Sequence, residues 1–105
     1  MILAVREFLR GAVRLHILHH AASQELNGAW MAEELGRHGY KISPGTLYPA
    51  LHRMEEEGLL SSRKQLRGGR VIRLYLATDL GQATLAEERA VLAELATEVL
   101  GWPSP

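Results

Sequence analysis

The chain has 105 residues, 47% of them hydrophobic, and its 12 basic and 12 acidic residues balance to a formal net charge of zero. That length makes one domain with a modest core, and so apolar a composition excludes a disordered chain. With no cysteine there are no disulfides, thiolate zinc sites or cysteine nucleophiles, which suits a reducing compartment. The apolar runs are too short to span a bilayer, and the N-terminal MILAVREFLRGAVRLH carries charges every few residues. We therefore expect no signal peptide, no membrane partner and a cytoplasmic location.

The first predicted element is a helix over Ile2 to Ala22, with Val5, Leu9, Ala12, Val13, His16 and Ile17 on one apolar stripe and Arg6, Arg10 and Arg14 beside it. The polar run Ser23 to Asn27 ends it. A second helix is expected over Ala29 to Arg37, capped by Asn27, stopped by Gly39, and burying Trp30 or Met31 with Leu35.

The third helix, Ser43 to Glu57, contains two prolines. Pro44 follows the predicted N-cap Ser43 at the first helical position, where its missing N–H is harmless. Pro49 lies one and a half turns in, and the bond it forgoes would go to Gly45, beside the helix start. Leu47, Leu51 and Met54 form the core face, and Gly58 is the expected left-handed terminator.

Beyond it, Ile72, Leu74 and Leu76 alternate with Val71, Arg73 and Tyr75, the pattern of a half-buried strand. Leu60 to Leu66 alternates less cleanly, and Gly68-Gly69 between the two runs signals a two-residue hairpin. Thr78 caps a last helix running to Leu100 before Gly101 and Pro103, with Asp79 in its first turn. Its heptad positions hold Leu85, Leu92, Leu95, Val99 and Trp102, with Glu88 interrupting one site. So short a run suits an ordinary core face too, but after a complete small domain it reads more naturally as a protein–protein seam.

The neutral total conceals an asymmetry. Ser61 to Leu76 contains Arg63, Lys64, Arg67, Arg70 and Arg73 and no acid, whereas Asp79 to Leu100 contains five acids and the single base Arg89. A base-only hairpin suits a polyanion. Two short helices joined by a tight turn and followed by a basic hairpin form the layout of a mainly α winged helix-turn-helix with a two-stranded wing. We expect residues 1–77 to form the DNA-binding part and residues 78–105 the dimerisation helix, in one compact unit.

The residues Ser43-Pro44-Gly45-Thr46-Leu47-Tyr48-Pro49-Ala50-Leu51, then Glu56-Glu57-Gly58-Leu59-Leu60 and RLYLATDLG, resemble the PadR family of bacterial transcriptional regulators, in its short branch with one C-terminal helix. The similarity covers about Ile2 to Leu100. It departs at Asn27-Gly28-Ala29-Trp30-Met31, where members commonly carry a His-Gly-Tyr-Glu-Ile-like run. The resemblance implies a homodimer in which the C-terminal helix packs on the partner's N-terminal helix, here through Val5 and Leu9. It also implies repression of nearby genes, often relieved by a small ligand. It assigns Tyr48 a hydrogen bond to a DNA phosphate and places Ser43, Thr46 and Pro49 at the DNA surface.

His52 and Arg53 also face outward on the third helix, and Lys64, Arg67, Arg70 and Arg73 suit phosphates or the minor groove. In HILHH, His16 lies one turn from His19 and His20, so the three are candidate ligands for a divalent metal. The more ordinary reading makes His16 and His20 hydrogen-bonded residues of the dimer seam. Trp30 and Trp102 are candidate ligand contacts through stacking, or else core and seam residues. No cofactor is required, and a small molecule or a divalent metal is the candidate effector. Two other readings stand beside a ligand-responsive repressor: a metal-responsive regulator using His16, His19 and His20, and a winged-helix interaction module that does not bind DNA. An enzyme is not expected, because no nucleophile–base pair or phosphate-binding loop is present.

Overall fold

Six elements run in the order α1 (Leu3–Ala21), α2 (Gly28–Arg37), α3 (Pro44–Glu56), β1 (Leu60–Arg67), β2 (Arg70–Ala77) and α4 (Asp79–Leu100). The structure is a computed structural model that describes residues 3–102, with side chains from Val5 onward. The predicted start at Ile2 and the Pro103 stop lie outside the described residues.

Local signals set the boundaries. The Asn27 side chain accepts from the Trp30 N–H at 2.7 Å and opens α2, and the Thr78 hydroxyl accepts from the Gly81 N–H at 3.0 Å and opens α4. Gly39, Gly58 and Gly101 end their helices at φ 87°, 81° and 71°. The hairpin turns on Gly68 and Gly69, at φ 56° and 76°, as a type I′ turn requires. Its antiparallel register sets Leu60 opposite Ala77, Lys64 opposite Arg73 and Arg67 opposite Arg70.

One core joins every element. It takes Ile17, Leu18 and Ala21 from α1, Met31 and Leu35 from α2, and Leu47, Leu51 and Met54 from α3. Leu60 of β1, Tyr75 of β2 and Leu85 of α4 complete it. Each of the larger aliphatic side chains contributes about 1.5–3 kcal/mol on burial. Packing of this cluster, more than the propensity of any single helix, holds the short α2 and α3 in place.

The C-terminal half of the α1 stripe is buried under the rest of the domain, while Val5 at its other end stands exposed, as does Phe8 beside it. Two expectations are corrected, in β2 and in α4. In β2, Leu74 and Tyr75 are both buried and Leu76 is exposed. Period-2 alternation fails there because the base of the hairpin is covered on both faces, with α1 and α4 packed on β2. Leu26 also pairs with the strand edge, donating to Tyr75 O at 3.0 Å and accepting from Tyr75 N at 2.7 Å. Leu85, assigned to the heptad seam, is a core residue at 2% exposure. It lies in the part of α4 that the domain covers, whereas the other heptad residues, Leu92, Leu95, Val99 and Trp102, are exposed.

Candidate nucleic-acid interface

The second helix of the pair presents one continuous polar edge. Ser43, Thr46, Tyr48, Pro49, His52 and Arg53 are exposed, while Leu47, Leu51 and Met54 turn inward, as the helical register predicts. The helix runs unbroken through Pro49. Ser43 occupies the cap position but does not cap: its hydroxyl donates to the Thr46 hydroxyl at 3.3 Å, and no side chain accepts from the first-turn amides. Pro44 has no N–H and the Thr46 N–H donates to the Ser43 carbonyl at 3.0 Å, so the Gly45 N–H is the first-turn amide left available to an anion, which the helix dipole favours there. A β-carbon added to Gly45 would meet nothing nearer than the Ser43 hydroxyl at 3.8 Å outside its own stretch of helix, so the surface there is open to close approach.

The wing carries its bases in two like-charged rungs. Lys64 faces Arg73 and Arg67 faces Arg70 across the ladder. Like charges directly opposite each other destabilise a hairpin, and among the described residues none of the four pairs with a carboxylate. Arg67 donates to Gln65 at 3.0 Å. Arg73 donates to the Ser62 hydroxyl at 2.9 Å, and that hydroxyl donates to Glu55 of α3 at 2.7 Å, so the recognition helix holds the root of the wing. Arg63, counted among the basic residues of the hairpin, is removed from the group. It forms a two-pronged pair with Glu25 at 2.7 and 2.8 Å, and this holds the Glu25 carboxyl below the usual carboxylate range.

The other four histidines, His16, His19, His20 and His38, cluster where α1 meets the end of α2. His20 and His38 meet one oxygen of the buried Glu34 at 3.3 and 3.2 Å. His16 lies between His38 and Tyr40, with both ring centroids at 5.1 Å. His19 turns away to Arg89 at 3.0 Å. Arg37 donates to Glu34 and keeps its carboxyl below the usual range. Burial lowers the pKa of both His16 and His20. His16, His19 and His20 therefore do not converge as ligands, and among the described residues no group of three His, Cys, Asp or Glu side chains is arranged to hold a metal. Sequence reasoning missed Glu34, whose acceptor role appears only once α1 and α2 pack together.

Trp30 packs edge-on against His20 at 5.3 Å, and Trp102 lies exposed past the end of α4. The two tryptophans are not brought together. A groove of about 810 Å³ lies instead between α1 and α4, with Phe8, Leu15, His16, Tyr40, Leu92 and Leu95 among its lining residues. No helix among the described residues is long and apolar enough to cross a membrane.

A short helix pair whose second helix is open at its N-terminal edge, with a wing of unpaired bases behind it, defines a winged helix-turn-helix DNA-binding protein. Residues 17–87 match the family model described as the transcriptional regulator PadR-like family. The transcriptional regulator Rv3488 of Mycobacterium tuberculosis is 60% identical over 100 residues, covering 95% of this chain and 94% of that one. The crystal structure of a PadR family transcriptional regulator from Eggerthella lenta superposes with a TM-score of 0.81 at 30% identity, covering 96% of this chain and 89% of that one. A PadR-like transcriptional regulator from Bacillus cereus gives 0.82 at 27% identity, covering 94% and 98%. The chain belongs to the PadR-like family and is a DNA-binding transcriptional regulator.

Proposed function

We propose that the chain acts as a homodimeric repressor in the cytoplasm, gripping operator DNA with α3 and the wing of each protomer and acting by binding alone. The observation that carries this is the pair of like-charged rungs, Lys64 with Arg73 and Arg67 with Arg70, which destabilise the isolated hairpin and have a purpose against phosphates. Residues 1–77 are read as the DNA-binding part and 78–105 as the part that joins two copies. In support, Leu92, Leu95, Val99 and Trp102 are exposed along α4, and Val5 and Phe8 are exposed on the adjoining α1. So many exposed large apolar side chains on two contacting helices call for a protein partner.

The groove between α1 and α4 supports regulation by a small effector. Its walls are mainly apolar, and one carboxylate oxygen of Glu88 is buried there with no hydrogen-bond partner among the described residues. An apolar compound carrying a hydrogen-bond donor or a positive charge fits that chemistry.

The test is a gel shift with the DNA upstream of the chain's own gene across a salt series, comparing wild type with Tyr48→Ala and Arg70→Ala. With three or four phosphate contacts per protomer, the log–log slope is on the order of −6. Arg70→Ala flattens it by about 2 per dimer. Light scattering on Leu92→Glu/Leu95→Glu reads the dimer, which this double change converts to monomers. Wild-type protein that ignores the DNA, or variants that bind it unchanged, would sink the proposal.

A further inference from the structure

The second helix opens on a glycine that its backbone does not require. Gly28 follows the capping Asn27, and it is not among the glycines with positive φ. Alanine is the better helix former at such a position. What forbids a side chain is space. A β-carbon on Gly28 would lie 2.4 Å from Tyr48 Cε1, 2.9 Å from Cζ and 3.1 Å from the hydroxyl oxygen. The outer half of the phenol of α3 therefore sits on the first turn of α2, in the space a methyl group would take. Gly28 is buried beneath it, and Tyr48 remains half exposed on its other side.

We propose that Gly28 is a positioning residue for DNA binding: its missing side chain forms the seat that fixes the Tyr48 phenol and sets its hydroxyl against one DNA phosphate. The proposal rests on the reading of Tyr48 as a phosphate contact. A tyrosine on an exposed helix face has two freely rotating side-chain torsions, and ordering them on binding weakens the complex. Seating the ring on α2 orders it beforehand. It also ties the two helices of the motif together at the surface, above the packing of Met31 and Leu35 on Leu47 and Leu51 in the core.

The experiment uses full-length protein and an operator duplex, with Gly28→Ala, Tyr48→Phe, Tyr48→Ala and the double variant Gly28→Ala/Tyr48→Ala, read by fluorescence anisotropy across salt and by thermal melting. Gly28→Ala should weaken binding on the order of tenfold, about as much as Tyr48→Phe, and both should leave the salt slope nearly unchanged, because a neutral hydroxyl displaces no counterion. In the Tyr48→Ala background the same change should weaken binding no further and should raise the melting temperature, because the ring no longer occupies the space. If Gly28→Ala alone does not fold, a folded double variant supports the seat and an unfolded one overturns it. Equal losses from Gly28→Ala in both backgrounds, or no loss in either, would also overturn it. Unchanged binding by Tyr48→Ala is a different failure, because it removes the reading of Tyr48 itself.

Discussion

Arg63 on the wing donates from Nε and Nη2 to the two carboxylate oxygens of Glu25, 38 residues earlier, at 2.7 and 2.8 Å. The pair pins the root of the hairpin to the loop after α1, next to the bridge between Leu26 and Tyr75. Arg63 is thereby occupied by the protein itself, in contrast to its neighbours Lys64, Arg67 and Arg70. We expect Arg63→Ala to leave the salt slope of DNA binding nearly unchanged, whereas Arg70→Ala flattens it. Glu25→Gln should tighten binding slightly, since it frees a base and removes an acid. Anisotropy titrations at three salt concentrations check both, and a slope change for Arg63→Ala as large as that for Arg70→Ala would contradict this division of roles.

Stability should depend on pH through the histidines between α1 and α2. Burial holds His16 and His20 below the ordinary imidazole value of about 6.5. The like charges of His38 and His19 act on both in the same direction, Arg37 adds to this at His20, and Glu34 opposes. Above about pH 6.5 these groups are neutral folded and unfolded, and their contribution is complete. As pH falls below that value the unfolded chain takes up protons that the folded chain refuses, so stability declines. Glu34, with its lowered carboxyl, enters only near and below the carboxylate range. The urea midpoint should therefore be lower at pH 5.5 than at pH 7.5, and His16→Gln/His20→Gln should reduce the difference.

Pro49 interrupts the hydrogen bonding of α3 without ending the helix. Replacing it by alanine restores a donor to the Gly45 carbonyl and should stabilise the domain by between about 1 and 3 kcal/mol, the lower figure reflecting its place near the helix start. We expect the same change to weaken DNA binding, because the proline shapes the turn that carries Thr46 and Tyr48. Paired urea and anisotropy measurements decide it, and a stabilised variant with unaltered affinity would reduce Pro49 to a packing residue.

Gly81 has a different constraint. A β-carbon there would lie 2.2 Å from the Leu59 carbonyl oxygen, a backbone atom. Gly81→Ala should destabilise the protein by at least about 1–3 kcal/mol, as overpacking against an immobile neighbour does. A melting temperature within one degree of wild type would show that the junction yields.

Much of this was legible in the sequence wherever one local signal decides the outcome. Asn27 and Thr78 as caps, Gly58 and Gly101 as terminators, and Gly68-Gly69 as the turn act through their own backbone or the next few residues, so they could be read without the fold. Leu85 could not, because its heptad position is equally suited to a core and a seam, and only the packing of α1 against α4 decides. Tyr75 was hidden for a related reason: Leu26 supplies an extra edge to the sheet from a stretch that reads as polar loop. The site divided in the same way. The exposed edge of α3 followed from helical register, whereas Gly28 beneath Tyr48, Glu34 between the histidines and Glu25 on Arg63 involve partners from different elements. Ser43 was placed correctly and assigned the wrong bond, since residue type identifies a cap position but not which way the hydroxyl turns.

The corner where Gly81 meets Leu59 has one more consequence. Thr78 donates from its hydroxyl to the Gly58 carbonyl at 2.5 Å and from its N–H to the Leu59 carbonyl at 3.1 Å. The end of α3, the start of the wing and the start of α4 therefore meet in one short run of backbone with no room for slack. In a dimer joined through α4, that corner makes the long helix a handle fixed to the reading head. Half-sites one turn of DNA apart lie about 34 Å from centre to centre. The gap between the two heads would then be set by how the two handles cross, and a tilt of a few degrees there would put them out of step with the double helix.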